Sequence, residues 1–188
     1  VKKVAVLFAR ADSVYKTMPG CDVYDIDRDA RTWPGGAPVV AHPPCRAWSS
    51  LRHMAKPRPD EKALAPWALE QVRRFGGVLE HPRSSLLWQG MPKPGVRDEF
   101  GGWLLPIHQH WWGHRAEKPT CLYIAGIGPR EIPDMPMSFD MVTHKTVSWA
   151  GFRKGMPGWR GEVNKKERER TPPALAEWLV DLARRCAP

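Results

Sequence analysis

The sequence predicts a single α/β domain, residues 1–188, with a Rossmann-like, mostly parallel sheet. Three observations carry that expectation. Short continuous apolar runs, the pattern of strands buried on both faces, are interleaved with a stretch of helical spacing. Several of these runs break off at proline or acidic residues, as strands do where they feed loops at a sheet edge. An amphipathic segment near the C-terminus starts at Thr171-Pro172-Pro173, a sequence suited to a helix N-terminus.

Residues 4–8 (Val-Ala-Val-Leu-Phe) read as a first strand, too short in its apolar part for a signal peptide. Residues 9–20 leave room for one short helix, stopped by Pro19-Gly20. A second strand over 22–26 ends in Asp25, Asp27 and Asp29, which could bind a ribose hydroxyl or a metal, or pair with Arg28 and Arg31. A third strand covers 38–41. Leu64, Ala68, Leu69, Val72 and Phe75 share one face of a helix over 61–75, closed by Gly76-Gly77. A fourth strand, 78–80, runs into His81-Pro82. Residues 104–112 are apolar and ambiguous, whereas 120–125 (Thr-Cys-Leu-Tyr-Ile-Ala) form a strand. Residues 126–170 read as a basic, loop-rich insertion, with seven Lys/Arg against three Glu over 151–170. The closing helix, within 171–186, places Leu175, Trp178, Leu179 and Leu182 on one face.

A formal charge of +9 favours polyanionic partners, nucleic acid first. Some of the ten tryptophans could stack on bases, although most belong to packing. No apolar run approaches about 18 residues, so no membrane span is expected. Cys21, Cys45, Cys121 and Cys186 are widely spaced and form no C-x-x-C pair, which predicts reduced thiols, a cytoplasmic setting and no zinc knuckle. His108, His110 and His114 have no carboxylate or cysteine at ligand spacing, so no metal is expected.

Chemistry concentrates where strands end. In His42-Pro43-Pro44-Cys45 a rigid Pro-Pro step delivers a lone thiol. Glu80 follows an apolar run, where burial raises a carboxyl pKa and makes it a proton donor. Arg46, His42, Arg115 or Lys118 could supply the positive charge that activates a thiolate. A nucleophile, an acid and a cation together suit covalent attack on an electron-poor ring.

The order Pro-Pro-Cys, then Glu-x-Pro, then Lys-x-Thr before a strand resembles the DNA cytosine-5 methyltransferases, and their short phage-type members in particular. The resemblance spans about residues 1–125 and 168–186. It implies a flipped pyrimidine base, with Cys45 adding to C6, Glu80 protonating N3, and Arg115 orienting the base or a phosphate. S-adenosylmethionine would supply a methyl group to C5, held by Phe8, Asp12, Ser13, Asp25, Asp27 and Pro43. DNA, or a pyrimidine nucleotide, would be held by Arg46, Ser49, Lys118, Arg153, Lys154, Lys165 and Lys166. The chain departs from the pattern at two places. The family's Phe-x-Gly-x-Gly turn reads Phe8-Ala9-Arg10-Ala11-Asp12 here, and His81 replaces the asparagine of Glu-Asn-Pro. Two alternatives share these residues: a pyrimidine-modifying enzyme that does not use S-adenosylmethionine, and a catalytically degenerate nucleic-acid-binding protein.

Overall fold

The structure, a computed structural model, describes residues 1–49, 52–138, 145–147, 154–157 and 159–186. Six strands form one mixed sheet: β1 (Val4–Leu7), β2 (Cys21–Val23), β3 (Val39–Ala41), β4 (Gly77–Pro82), β5 (Trp103–His108) and β6 (Pro119–Ala125). Their order is β2-β1-β3-β4-β6-β5. The first four strands are parallel, and β6 runs antiparallel to both β4 and β5. The expected parallel sheet therefore holds for one part of the molecule and gives way to an antiparallel pair at its far edge.

Alternation along the strands explains the layers. Val4, Val6, Val40 and Val78 face the closing helix α3 (Pro173–Arg185), whose Leu175, Leu179 and Leu182 are fully buried. Ala5, Leu7, Val39, Ala41 and Leu79 face α1 (Glu61–Phe75) through Ala65, Ala68, Leu69 and Val72. Helices thus cover both faces, as continuous apolar strands require. Gly77 at the start of β4 has φ +122°, and a Cβ there would lie 2.0 Å from the Val39 carbonyl oxygen. Glycine lets β4 approach β3 directly after the helix.

Several elements differ from expectation for local reasons. The helix expected over 9–20 is a single 3-10 turn, Val14–Thr17, capped by Ser13. The second strand stops at Val23, because the Asp25 carboxylate accepts from the Asp27 and Arg28 amides and turns the chain. Residues 104–112 divide into β5 and a 3-10 turn, Gln109–Trp112. Pro106 is tolerated because β5 lies at the sheet edge. Among its described residues the basic insertion contains one short helix, α2 (Lys165–Glu169), capped by Asn164. Arg153 lies outside the described residues.

Candidate active site

Register brings the reactive groups to one rim. Leu7, Ala41 and Leu79 sit on the same rung of β1, β3 and β4. The next residues, His42 and Glu80, are therefore neighbours at the C-terminal ends of two parallel strands. Between β1 and β3 the chain reverses its direction of travel across the sheet, and open α/β sheets place their ligand crevice at such a reversal. Because β6 is antiparallel, its N-terminal end reaches the same rim and brings Lys118 with it. β5 ends there too and presents Gln109.

A continuous polar chain crosses this rim. Tyr15 Oη lies 2.9 Å from His42 Nε2, and His42 Nδ1 lies 2.9 Å from Glu80 Oε2. The Gln109 amide donates to Glu80 Oε1 and to Thr120 Oγ1, at 3.1 Å each. Burial pushes the Glu80 carboxyl up, but the His42 hydrogen bond and the charges of Lys118, His42 and His81 outweigh it and bring the group to about 2. Glu80 is an ionised carboxylate at neutral pH. The same burial, opposed by Glu80, drives Lys118 down. Lys118 also holds a left-handed φ of 41° and donates to the Arg170 carbonyl oxygen, a costly conformation for a non-glycine residue.

Cys45 is half-buried in the loop after β3. Burial and then the Glu80 charge raise its pKa, and Lys118 opposes them. The resting thiol is therefore protonated and becomes easier to ionise once Glu80 takes up a proton. The loop is anchored to the start of α1. Arg46 forms a two-point ion pair with Glu61, a carboxylate with no solvent exposure. Pro66 has no N–H for the Lys62 carbonyl oxygen, and the Trp48 indole donates to it instead. His81 is buried against Ser85 Oγ at 2.7 Å, and burial holds it neutral, with a pKa of about 4.

The remaining expected site residues are distributed unevenly. Pro43 is buried beneath the loop, and the Ser49 amide donates to the Cys45 carbonyl oxygen. Arg115 is held in a two-point pair with Glu167 of α2. Lys154, Lys165 and Lys166 are exposed. Phe8 directly follows β1 at φ 62°, with its ring edge-on to Trp67. Asp25 is closed off by Lys16 at 2.5 Å, and Asp27 is exposed.

The residues at the β1 end do not fit S-adenosylmethionine. Counting from Phe8, Arg10 and Asp12 stand where the glycine turn would leave open backbone. They pair with each other at 2.9 Å, and Arg10 reaches Glu169 of α2 at 2.7 Å. Side chains occupy the approach to the backbone that glycines would leave free.

Sequence reasoning weighed His42 as a cation for the thiol, whereas the ring is held by Glu80. It missed Tyr15, Gln109, Glu61 and Trp48. The one local signal for Gln109 was a polar residue directly after an apolar strand. Among the described residues no group of three or more His, Cys, Asp or Glu could hold a metal, and no helix is long and apolar enough to cross a membrane. Comparison of the chain with protein-family models, curated proteins and solved structures returns no match.

Proposed function

We propose that the protein modifies cytosine at C5 in the manner of the DNA cytosine-5 methyltransferases, through a covalent adduct between Cys45 and C6 of the base. The observation that carries this reading is the convergence of Cys45, Glu80 and Lys118 on one sheet rim, from three segments far apart in sequence. The strand order β2-β1-β3-β4, with its reversal beside β1, supports a Rossmann-like scaffold. The Cys45 thiol gives its proton to the Glu80 carboxylate, the thiolate forms the S–C6 bond, the C5–C6 π electrons shift toward N3, and N3 takes that proton from Glu80. The neutral adduct then has a nucleophilic C5. Lys118 stabilises the thiolate and its exchange of charge with Glu80. A base that is flipped from DNA or single-stranded can enter such a rim, and the exposed lysines of α2 favour its phosphates.

Methyl transfer is the outcome that the resemblance implies. The Arg10–Asp12 pair at the β1 end favours a second reading, in which the same adduct accepts a one-carbon group from a donor other than S-adenosylmethionine. Mass analysis of total nucleosides from cells expressing wild type or Cys45→Ser separates the two. In cells fed methyl-labelled methionine, a labelled 5-methylcytosine signal that depends on Cys45 selects transfer from S-adenosylmethionine, and an unlabelled or different Cys45-dependent C5 mass shift selects the second reading. An unchanged nucleoside profile contradicts both.

A further inference from the structure

Helix α2 lies beside the rim that holds the thiol, since the Glu169 charge bears on Cys45, Arg46 and Lys118. Apolar packing does not hold it there. The sequence Lys-Lys-Glu-Arg-Glu buries none of its side chains, and its five residues are too few for a helix that is stable by itself. What fastens α2 to the body is polar. Arg115 pairs with Glu167 at two points, through Nε and through Nη2 at 2.6 Å. Arg10 Nη1 lies 2.7 Å from Glu169 Oε2. His114 Nε2 lies 3.3 Å from the Glu167 carbonyl oxygen, and Lys118 Nζ donates to the Arg170 carbonyl oxygen at 3.1 Å. Side chains two apart on a helix diverge, so the two glutamates reach arginines on different sides of α2. Val163 before the helix and Pro172 after it are buried and tether the segment at both ends.

A guanidinium that receives a carboxylate in its fork of donors also receives a phosphate. We propose that Arg10 and Arg115 are sites for the backbone phosphates of DNA, occupied in the free protein by Glu169 and Glu167, and that a DNA strand takes the place of these carboxylates. This rests on the nucleic-acid substrate proposed above. Charge favours the exchange. Beside its two glutamates α2 presents Lys165 and Lys166, with Arg170 directly after it, and all three are exposed. Lys166 and Arg170 stand 3.9 Å from Asp12, too far for a close pair. These cations draw a polyanion to α2 before the pairs open. The pairs themselves are weak competitors, because the Arg115 side chain is 62% exposed and that of Glu169 is 47% exposed. A strand that meets several cations at once also releases its condensed counterions, which a single carboxylate does not. Once displaced, Glu167 and Glu169 are repelled by the phosphates, so α2 moves aside and opens the rim beside Cys45. The buried anchors on either side keep the segment attached.

The test is a double-mutant cycle on DNA affinity. The probe is a fluorescently labelled oligonucleotide of thymidine alone, which carries phosphates but no cytosine, and binding is read by anisotropy. Four proteins are compared: wild type, Glu167→Gln with Glu169→Gln, Arg10→Gln with Arg115→Gln, and the combination of all four changes. Circular dichroism establishes that each is folded. Removing the two carboxylates should tighten binding by about tenfold. Glu177→Gln with Asp181→Asn makes the same change in net charge on α3 and should alter binding by about twofold or less. Removing the two arginines should weaken binding, and in that background the glutamate substitutions should have no further effect. Equal tightening by the α3 control, or the same tightening with and without the arginines, overturns the proposal and leaves the nucleic-acid reading standing, because net charge alone then governs affinity. If none of the proteins binds the oligonucleotide, the proposal and the DNA reading fail together.

Discussion

The two halves of the same sheet edge are wired differently. Around β1 and β2 many charged residues pair with near neighbours in sequence: Asp25 with Lys16, Asp22 with Arg28, Asp29 with Arg31 and Arg10 with Asp12. Around β3, β4 and β6 the polar groups reach across the fold, Tyr15 to His42, His42 to Glu80 and Glu80 to Gln109. Short-range pairs satisfy loop side chains at little cost and contribute little to stability. A buried network assembled from separate strands must be fully satisfied to persist. The fold maintains such a network on the Cys45 side. Long-range pairs occur on the other side as well, Arg31 with Asp60 and Arg10 with Glu169, and the second ties α2 to the place where an open glycine turn was expected.

Glu80→Gln attacks the wired half most directly. It should slow adduct formation by about 10²- to 10⁴-fold, measured by denaturing electrophoresis of protein–DNA adducts. Acid should then weaken the same half as a unit. His81 titrates near 4 in the folded chain against an ordinary 6.5. Its depressed value means that stability is complete above 6.5 and falls between 6.5 and 4, as the unfolded chain takes up protons first. Glu80, near 2 against 4.5, adds a second loss as pH drops from 4.5 toward 2. Each amounts to about 3 kcal/mol. Urea titrations at pH 7.5, 5 and 4 should show the first loss, and His81→Asn should flatten it. Glu61→Gln weakens the clamp on the Cys45 loop through Arg46 and should cost roughly 1–2 kcal/mol, with a fall in adduct rate of about tenfold. On the locally paired half, Asp25→Asn should leave the adduct rate within about twofold of wild type. A larger effect there would join the two halves into one site.

Local pattern made the apolar strands, α1 and α3 legible, because burial and period act within each segment. The α1 boundaries match the expected 61–75, since the glycine pair after Phe75 and the leucine spacing both act locally. Cys45 and Glu80 were legible for the same reason, each standing where an apolar run meets proline. Lys118 was legible as a cation but not as a neighbour of Glu80. That proximity depends on β6 pairing antiparallel with β4, a choice made by distant residues. Arg115 and Lys118 looked equivalent in sequence, and the Glu167 partner that separates them arrives from α2, about fifty residues later. The role of His42 was hidden because both its partners lie more than twenty-five residues away.

The central claim is that Cys45 bonds to a pyrimidine. Peptide mass measurement after incubation with 5-azacytosine DNA, nuclease digestion and trypsin cleavage tests it directly. Wild type should gain the mass of the modified nucleotide on the tryptic peptide containing Cys45, and Cys45→Ser should gain none. Absence of the adduct in wild type, or its persistence in Cys45→Ser, would contradict the account.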